Sequence, residues 1–534
     1  MPSFNLVNEQ WIPCRMTAGP AEMLSLRQAL TRAHEVGAIQ ADSPLATAAI
    51  HRLLLAVLYR SGIASDDDGW SERWAARDIG PAAVAGYLDR WASRFDLFDA
   101  VHPFYQTPGL RPEDGGTVAK LMHELNAGNN AALFDHSLDQ APPSLAPSLA
   151  AQALVAIQAF APGGLLSFEK GKLADKSADA APLVKAGLVL MTGGNLVETL
   201  LLNLFRIDED AAVPFAHRRE RDLPAWERDE PTRAMDRRPD GPVDLLTWQS
   251  RRVLLVPEQD EEALVVRKAV IMKGNQFPSG FVLGLHEPMV AFREVPKPAA
   301  GQDPMPPVGF RPERSLWRDS LALLMDLAPD TATKRTGFRR PRNLADLSRR
   351  DFSGTDPRPR VTVLGLGVDR AKLLLWRQEE FPLPLAYLDP DNGELVARLE
   401  KSVALAVEAG HLLRSSVWKL SATVLSPDNS PDRKRVDALV GALAPERKYW
   451  SRLDVPFRRL IVDLAEDYAR DGGSRSLGAW RHEVAQAAHS AFDVAAGAVE
   501  MHARGLKAAA EARGLFGALL SRQLREFESV EAII

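Results

Sequence analysis

Apolar residues in the last third of the chain recur at the three- and four-residue spacing of buried helix faces. One stripe comprises Leu399, Val403, Ala406, Leu413, Val417 and Leu420. A second comprises Trp450, Leu453, Phe457, Leu460, Leu464 and Tyr468. Two further helical segments are predicted around residues 480–501 and 506–527. Because short connections separate these four segments, the pattern predicts a four-helix bundle over residues 389–534.

The preceding part of the chain has a mixed pattern. Short β-type runs alternate there with helical stretches and with turns that contain proline and glycine. The clearest runs are residues 252–257, 264–272, 281–285 and 361–364. The predicted fold class is therefore α+β, with a large mixed α/β domain over residues 1–388 followed by a four-helix bundle over residues 389–534.

Composition and charge narrow the class of function. The chain has 534 residues, a net charge of -5 and 46% hydrophobic residues, as in an ordinary globular protein. A surface that is basic throughout is excluded, although a local basic patch is not. The single cysteine, Cys14, excludes an internal disulfide and any zinc site built on two thiolates. The sequence shows no secretory signal and no apolar run of membrane-spanning length, so we predict a cytoplasmic protein.

The motifs of common enzyme classes are absent from the sequence. It contains no GxSxG elbow, no HExxH helix and no GxxxxGK[ST] phosphate loop. His482 and His489 are seven residues apart, whereas zinc ligands on a helix are usually three or four apart, so structural roles are favoured. Cys14 has no histidine near it in sequence that would act as a base, and we assign it no catalytic role. We predict no metal and no cofactor.

One segment nevertheless has an enzyme-like pattern. A hydrophobic strand runs into Gly365 and Gly367, and a helix is predicted to follow, beginning near Asp369, Arg370 and Lys372. A strand, two glycines and a helix are typical of a dinucleotide-binding turn, but the third glycine of that pattern falls on Arg370. A nucleotide-binding enzyme that uses this glycine pair is the alternative hypothesis. A third hypothesis is a scaffold whose helical bundle contacts only other proteins.

Residues 334–360 carry a local excess of positive charge. Nine basic residues stand there against three aspartates, a net charge of +6 within a chain of -5. Five of the basic residues lie near the start of the segment: Lys334, Arg335, Arg339, Arg340 and Arg342. A solvated loop is the ordinary explanation of a single charge run. Crowding of this degree beside a glycine loop favours a groove that binds the phosphates of the DNA backbone.

Several motifs, in the same order along nearly the whole chain, resemble the large-subunit (CasA) family of the type I-E CRISPR surveillance complex, Cascade. The most specific are Trp-Ile-Pro at residues 11–13 and His-Pro-Phe-Tyr-Gln-Thr at residues 102–107. The others are NNAALFDH at 129–136, PGG at 162–164, GGNLVETLLLN at 193–203, the loop that ends at 369–372, and the helical carboxy-terminal region.

The resemblance implies both a fold and a function. The fold is a large mixed α/β domain followed by a four-helix bundle. The function is that of a subunit that is not an enzyme. It recognises the protospacer-adjacent motif in double-stranded DNA, helps to open the duplex for R-loop formation, and recruits a helicase-nuclease. The implied partners are the CRISPR guide RNA, the other Cascade subunits and target DNA, with no membrane. Some members carry a cysteine cluster suggestive of zinc, and residues 253–268 at the corresponding place contain no cysteine.

The resemblance also assigns DNA motif recognition to individual residues. These are Lys273, the counterpart of a minor-groove lysine, and the loop that contains Asp369, Arg370, Ala371 and Lys372. An ordinary turn lysine is the structural alternative for Lys273. In some members this loop carries Asn-Gln-Ala, and the glutamine acts as a wedge. Arg370 stands at the place of that glutamine, so the preferred motif is not inherited from relatives.

Two more loops receive roles from the resemblance. Gly163 and Gly164 belong to a glycine-rich loop near the motif-binding face. The contacts assigned to the 5′ handle of the guide RNA are Asn129, Asn130, Phe134, Asp135 and His136. Aromatic stacking suits unpaired RNA bases. A core-anchoring role is the structural alternative for Phe134.

Overall fold

The chain folds into two compact units in the computed structural model. The structure describes residues 2–63, 66–111, 116–122, 143–207, 220–260, 263–311, 315–332, 335–352, 354, 357–369, 372–426, 432–501 and 503–531. The first unit comprises residues 1–312 and 325–380. The second comprises residues 313–324 and 381–534, so it includes a short segment from the middle of the chain as well as the carboxy-terminal region.

Helices and strands are mixed in the first unit, whereas the second is helical. The helices are α1 (Leu26–Thr31), α2 (Pro44–Arg60), α3 (Asp67–Ala76), α4 (Pro81–Trp91), α5 (Pro147–Phe160), α6 (Leu196–Asn203), α7 (Pro242–Leu246), α8 (Leu321–Leu324), α9 (Arg342–Leu347), α10 (Gly393–Leu425), α11 (Arg433–Leu443), α12 (Pro445–Asp471), α13 (Ser474–Gly497) and α14 (Ala503–Glu531). The strands are β1 (Ile12–Met16), β2 (Glu22–Leu24), β3 (Val36–Ile39), β4 (Gly164–Leu165), β5 (Ser177–Ala178), β6 (Gly187–Thr192), β7 (Met235–Asp236), β8 (Arg251–Asp260), β9 (Ala263–Lys273), β10 (Asn275–Gln276), β11 (Phe292–Glu294), β12 (Gly337–Arg339), β13 (Arg360–Asp369) and β14 (Lys372–Pro382). The α+β fold class is confirmed.

Helix α2 lies at the centre of the first unit. It is apolar on nearly every face, and all of its residues except the last are buried. It packs against α5, α6, α7 and β13. Its one buried guanidinium, that of Arg52, donates to a carboxylate oxygen of Glu287 at 2.8 Å and to the carbonyl oxygen of Leu245 at 3.0 Å. Within the described residues, no helix is both long enough and apolar enough to cross a bilayer.

Two antiparallel arrangements frame the candidate site. Strands β8 and β9 form a long hairpin whose register pairs Arg251 with Lys273 and Asp260 with Ala263. Strands β14, β13 and β6 form a three-stranded sheet in that order. The apolar runs at 252–257, 264–272 and 361–364 therefore form strands, as predicted.

The apolar run at residues 281–285 was wrongly predicted as a strand. Residues Leu283–Leu285 form a single 3-10 turn, and the Phe281 amide donates to the carbonyl oxygen of Pro278 at 3.0 Å. The Phe281 ring stacks against those of Phe277 and His286, with centroids 4.4 and 4.5 Å away. A short apolar run is equally compatible with a buried turn, and these aromatic contacts stabilise the turn.

The prediction of a helix after the glycine pair is also wrong. Gly365 and Gly367 lie within β13, and the next element is β14, so the strand–turn–helix geometry of a dinucleotide site is not formed. Gly365 is required for packing, because a Cβ there would lie 2.4 Å from the carbonyl oxygen of Ala186. The glycine pattern that suggested a phosphate-binding turn therefore results from close contact between the backbone of β13 and that of Ala186.

The second unit contains the predicted bundle. Helices α10, α12, α13 and α14 pack against one another. The Trp480 indole donates to the carbonyl oxygen of Ser402 at 2.8 Å, and the Tyr449 hydroxyl donates to that of Ala406 at the same distance. Helix α11 was not predicted from the sequence. It ends at Leu443, and the next residue, Ala444, has a left-handed φ of 46° that separates it from α12.

A prediction concerns the aromatic centre of this bundle. Phe457 is fully buried, and its ring stacks on Trp317 with the centroids 4.4 Å apart. We expect Phe457→Ala to lower the free energy of unfolding of the bundle by about 3–5 kcal/mol, because it leaves a cavity among aromatic rings. Val455 lies on the same helix with 61% of its surface exposed, so Val455→Ala is the control and should change stability by less than about 0.5 kcal/mol. Urea unfolding of the intact chain, followed by helical circular dichroism, measures both, and equal effects would contradict the assignment.

Candidate nucleic-acid interface

The His-Pro-Phe-Tyr-Gln-Thr motif attaches the β8–β9 hairpin to the amino-terminal part of the first unit. The Gln106 amide oxygen accepts from the Leu255 amide at 2.8 Å, and the amide of Thr107 donates to the carbonyl oxygen of Val253 at 2.9 Å. At its other end, the Gln106 amide nitrogen donates to the carbonyl oxygen of Leu97 at 2.7 Å. The motif therefore satisfies backbone groups along the outer edge of β8 and fixes the position of the hairpin.

Lys273 is the last residue of β9 and lies opposite Arg251 in the hairpin register. Its carbonyl oxygen accepts from Nε of Arg252 at 2.8 Å, which fixes the backbone at this point. Gly274 follows, and a Cβ there would lie 2.6 Å from the carbonyl oxygen of Gln249, so only glycine allows the close approach. The Lys273 side chain is partly exposed, and none of the described carboxylates forms an ion pair with it.

Gly163 and Gly164 begin an exposed excursion that we call the arm, residues 163–178. Gly164 has φ of 141°, a conformation that side chains disfavour. A Cβ at Gly163 would lie 2.9 Å from the amide nitrogen of Ala180. Strands β4 and β5 pair antiparallel at the base of the arm, so its two ends lie side by side. Both glycines are therefore needed for the shape of the arm.

The arm contacts the hairpin close to Lys273. Ser167 forms a parallel bridge with Met272, the residue before Lys273. The Arg252 guanidinium donates to a carboxylate oxygen of Glu169 at 3.2 Å. The structure thus brings together Lys273 and the glycine-rich loop, which the resemblance had assigned to one face. Sequence reasoning missed Arg252 and Glu169, although two adjacent arginines at the start of an apolar strand are a signal for buried polar contacts.

The outer surface of the arm combines positive charge with apolar side chains. Leu165 and Leu173 are 80% and 61% exposed. The arm carries three lysines against Glu169 and Asp175, and the ammonium group of Lys172 forms an ion pair with Glu169. The hydrogen bond that Lys172 donates to Glu169 lowers the pKa of that carboxyl group most, and the charge of Arg252 lowers it further. The carboxylate is therefore ionised and neutralised by cations.

Several predicted site residues fall outside the described part of the chain. Asp369 and Lys372 are the last residue of β13 and the first residue of β14. The predicted contacts that lie outside the described residues are Arg370, Ala371, Lys334, Asn129, Asn130, Phe134, Asp135 and His136.

Three of the arginines predicted to bind the DNA backbone form ion pairs within the first unit. Nε of Arg339 lies 3.3 Å from Glu294, Nε of Arg340 lies 3.5 Å from Asp326, and Nε of Arg342 lies 2.9 Å from Asp346. Two of these carboxylates come from outside the basic segment, so local charge in the sequence overstated the charge of the surface. Arg335 is exposed, and none of the described carboxylates pairs with it.

Cys14 is 2% exposed within β1. Burial, and to a smaller extent the charge of Glu22, raises the pKa of its thiol to about 12. Because the thiolate is the nucleophile, this cysteine is chemically inert in the folded protein. In the described part of the chain, no three histidine, cysteine or acidic side chains cluster as metal ligands would.

We therefore predict that Cys14 resists alkylation in the folded chain. With a pKa of about 12, roughly one thiol in ten thousand is ionised at pH 8, and burial also blocks access. Iodoacetamide at pH 8 should leave the native protein unmodified for hours and modify it fully in concentrated urea, as measured by intact mass. Rapid labelling of the native chain would show that Cys14 is accessible.

A mixed α/β unit, a four-helix bundle and a basic arm beside a hairpin lysine define a candidate nucleic-acid-binding protein. The family model described as CRISPR-associated protein Cse1 matches residues 5–491. The chain is also 34% identical over 539 aligned positions to the CRISPR-associated protein CasA/Cse1 of Thermus thermophilus, covering 97% of this chain and 98% of that protein. The chain belongs to the CRISPR-associated Cse1 (CasA) family, and the resemblance found in the sequence is confirmed.

Solved structures share the fold. The crystal structure of Thermobifida fusca Cse1 superposes with a TM-score of 0.80 at 25% identity and covers 98% of each chain. A chain of a CRISPR RNA-guided surveillance complex superposes with a TM-score of 0.75 at 24% identity and covers 97% of this chain and 100% of its own. The second similarity concerns the fold alone.

Proposed function

We propose that this chain is the non-catalytic large subunit of a CRISPR RNA-guided surveillance complex. It recognises a short protospacer-adjacent motif in double-stranded DNA, helps to open the duplex for R-loop formation, and recruits a helicase-nuclease. The motif-binding surface comprises Lys273, the arm with Gly163 and Gly164, and the β13–β14 loop with Asp369, Arg370, Ala371 and Lys372. Residues 129–136 bind the guide RNA handle.

The position of Lys273 is the observation that carries the proposal. Its backbone is fixed by Arg252, its side chain has no carboxylate partner among the described residues, and a basic arm lies beside it. A lysine placed in this way suits a groove contact, because an ammonium group without an internal partner is available to a base edge or a phosphate. The exposed apolar side chains of the arm suit contact with the sugar and base edges.

Family membership supports the wider role. A similar chain occurs in a CRISPR RNA-guided surveillance complex, which supports guide RNA and other subunits as partners. The net charge of -5 argues against tight DNA binding by the isolated chain, because phosphate neutralisation dominates affinity for DNA. Recognition is therefore expected in the assembled complex, where the guide pairs with the opened strand.

The test uses complexes assembled with guide RNA, partner subunits and this chain. Across a duplex library with a randomised motif at fixed salt, we expect motif-selective binding only when the chain is present. Lys273→Ala should weaken binding to motif-bearing duplex by about 1–3 kcal/mol, because a groove contact is lost. Lys268→Ala is the matched control, since Lys268 lies on the same strand and pairs with Glu258 at 3.5 Å. Affinity unchanged by Lys273→Ala would reject the assignment of that lysine, and identical selectivity without the chain would reject the function.

A second prediction concerns the proposed contacts of Lys334, Arg335, Arg339, Arg340 and Arg342 to DNA phosphates. Arg335→Ala should reduce the slope of log affinity against log salt by about 1, because one phosphate contact is lost. Arg340→Ala should change the slope less, because Asp326 already competes for that guanidinium. Filter binding of the assembled complex at several salt concentrations gives both slopes. An unaltered slope for Arg335→Ala would remove this segment from the interface.

A further inference from the structure

Arg251 is among the most buried charged side chains in the protein, with 1% of its surface exposed. Its backbone pairs with that of Lys273 in the hairpin, and both of its backbone polar groups bond to the side chain of Gln158. The Arg251 amide donates to the Gln158 amide oxygen at 2.9 Å, and the Gln158 amide nitrogen donates back to the Arg251 carbonyl oxygen at 3.0 Å. The strand opposite Lys273 is therefore fixed to the end of α5.

The guanidinium of Arg251 binds both ends of the arm. Nη2 donates to the carbonyl oxygens of Pro162 and Asp179, each at 2.8 Å, and these residues immediately precede and follow the arm. Nη1 donates to the carbonyl oxygen of Ser250 at 2.9 Å. One side chain thus links the two ends of the arm to the strand that faces Lys273.

Gln276 provides a second link from the other side of Lys273. It lies in β10, three residues after Lys273, and its amide oxygen accepts from the amide of Asp179 at 2.6 Å. Its amide nitrogen donates to the carbonyl oxygen of Asn275 at 2.7 Å. Arg251, which pairs with Lys273 across the hairpin, and Gln276, three residues after Lys273, therefore both bond to the backbone of Asp179 at the end of the arm.

These bonds involve no acidic side chain. All of the hydrogen bonds of the Arg251 guanidinium in the described structure end on backbone carbonyl oxygens. Burial lowers the pKa of Arg251 to about 10, so the group still carries its charge at neutral pH.

We propose that Arg251 and Gln276 are positioning residues that hold the arm beside Lys273, so that both meet a DNA duplex as one rigid surface. The claim about DNA recognition rests on the proposed function, whereas the claim that these two residues hold the arm does not. Pre-organisation of this kind improves discrimination between motif-bearing and motif-free duplex. The arm is already ordered before binding, so the free energy of ordering it does not reduce the free energy of specific binding.

The first test measures the arm without DNA. Because Cys14 is buried and inert, a spin label on Leu165→Cys, an 80% exposed site, reports on the arm alone. We expect Gln276→Leu and Arg251→Met to increase the mobility of the label, since each removes a link to the arm. Gln259→Leu, an exposed site on the same hairpin, is the matched control and should leave the spectrum unchanged. If Arg251→Met does not fold, Gln276→Leu decides the question.

The second test measures recognition with unlabelled chains in the assembled complex. We expect Gln276→Leu to reduce the ratio of affinities for motif-bearing and motif-free duplex by about tenfold, with binding to motif-free duplex unchanged. In the Lys273→Ala background the same substitution should cause no additional loss, because it acts through the relative position of the arm and that lysine. A purely structural role would not produce this coupling.

The outcomes separate the two proposals. An immobile label in Gln276→Leu, a mobile label with unaltered selectivity, or losses that add in the double variant would each overturn the positioning role. If Lys273→Ala alone leaves selectivity intact, the proposed role of that lysine fails. The label on the DNA-free chain still decides whether Arg251 and Gln276 hold the arm.

Discussion

A buried guanidinium must find hydrogen-bond acceptors, and this requirement organises the surface around Lys273. Moving an unsatisfied charge out of water costs several kcal/mol. The Nη1 and Nη2 groups of Arg251 donate to carbonyl oxygens from three segments, namely the residue before its own strand, the residue before the arm and the residue after it, whereas its Nε has no partner in the described structure. The hydrogen bonds form only when those segments converge. The shape of the arm is therefore tied to the burial of a single side chain.

The other buried arginines of the first unit pair with carboxylates, and they include Arg252, next to Arg251 in the chain, which pairs with Glu169 at 3.2 Å. Arg52 pairs with Glu287 at 2.8 Å, and Arg350 pairs with Asp67 at 2.6 Å while its guanidinium lies over the ring of Trp70. Each of these pairs is locally neutral. The Arg251 guanidinium donates only to backbone carbonyl oxygens, and burial lowers its pKa, although the charge of nearby Asp179 acts to raise it.

The sequence predicted the parts of the fold that depend on periodicity. The bundle helices follow from apolar stripes such as the one from Leu399 to Leu420, and β8 and β9 follow from long β-type runs. Prediction from the sequence failed where one residue pattern is compatible with two different structures. Gly365 resembled a phosphate-binding glycine, yet it allows β13 to approach the backbone of Ala186. The contacts of Arg251 and Gln276 were not predictable, because their backbone partners Pro162 and Asp179 lie 89 and 97 residues away and backbone groups have no sequence signature.

The same limitation applies to charge. A window of nine basic residues predicted a phosphate-binding groove, but the guanidiniums of Arg339 and Arg340 face Glu294 and Asp326 in the folded chain. The net charge of a sequence segment indicates the electrostatic potential at its surface only when the fold brings no opposite charge close to that segment. Lys273 is the converse case, since nothing in its local sequence distinguishes it from an ordinary turn lysine. Its availability arises from the fold, which fixes its backbone and engages the nearest arm carboxylate, Glu169, with Arg252 and Lys172. The count of cations in a sequence segment is therefore a poor guide to which of them the fold leaves without partners.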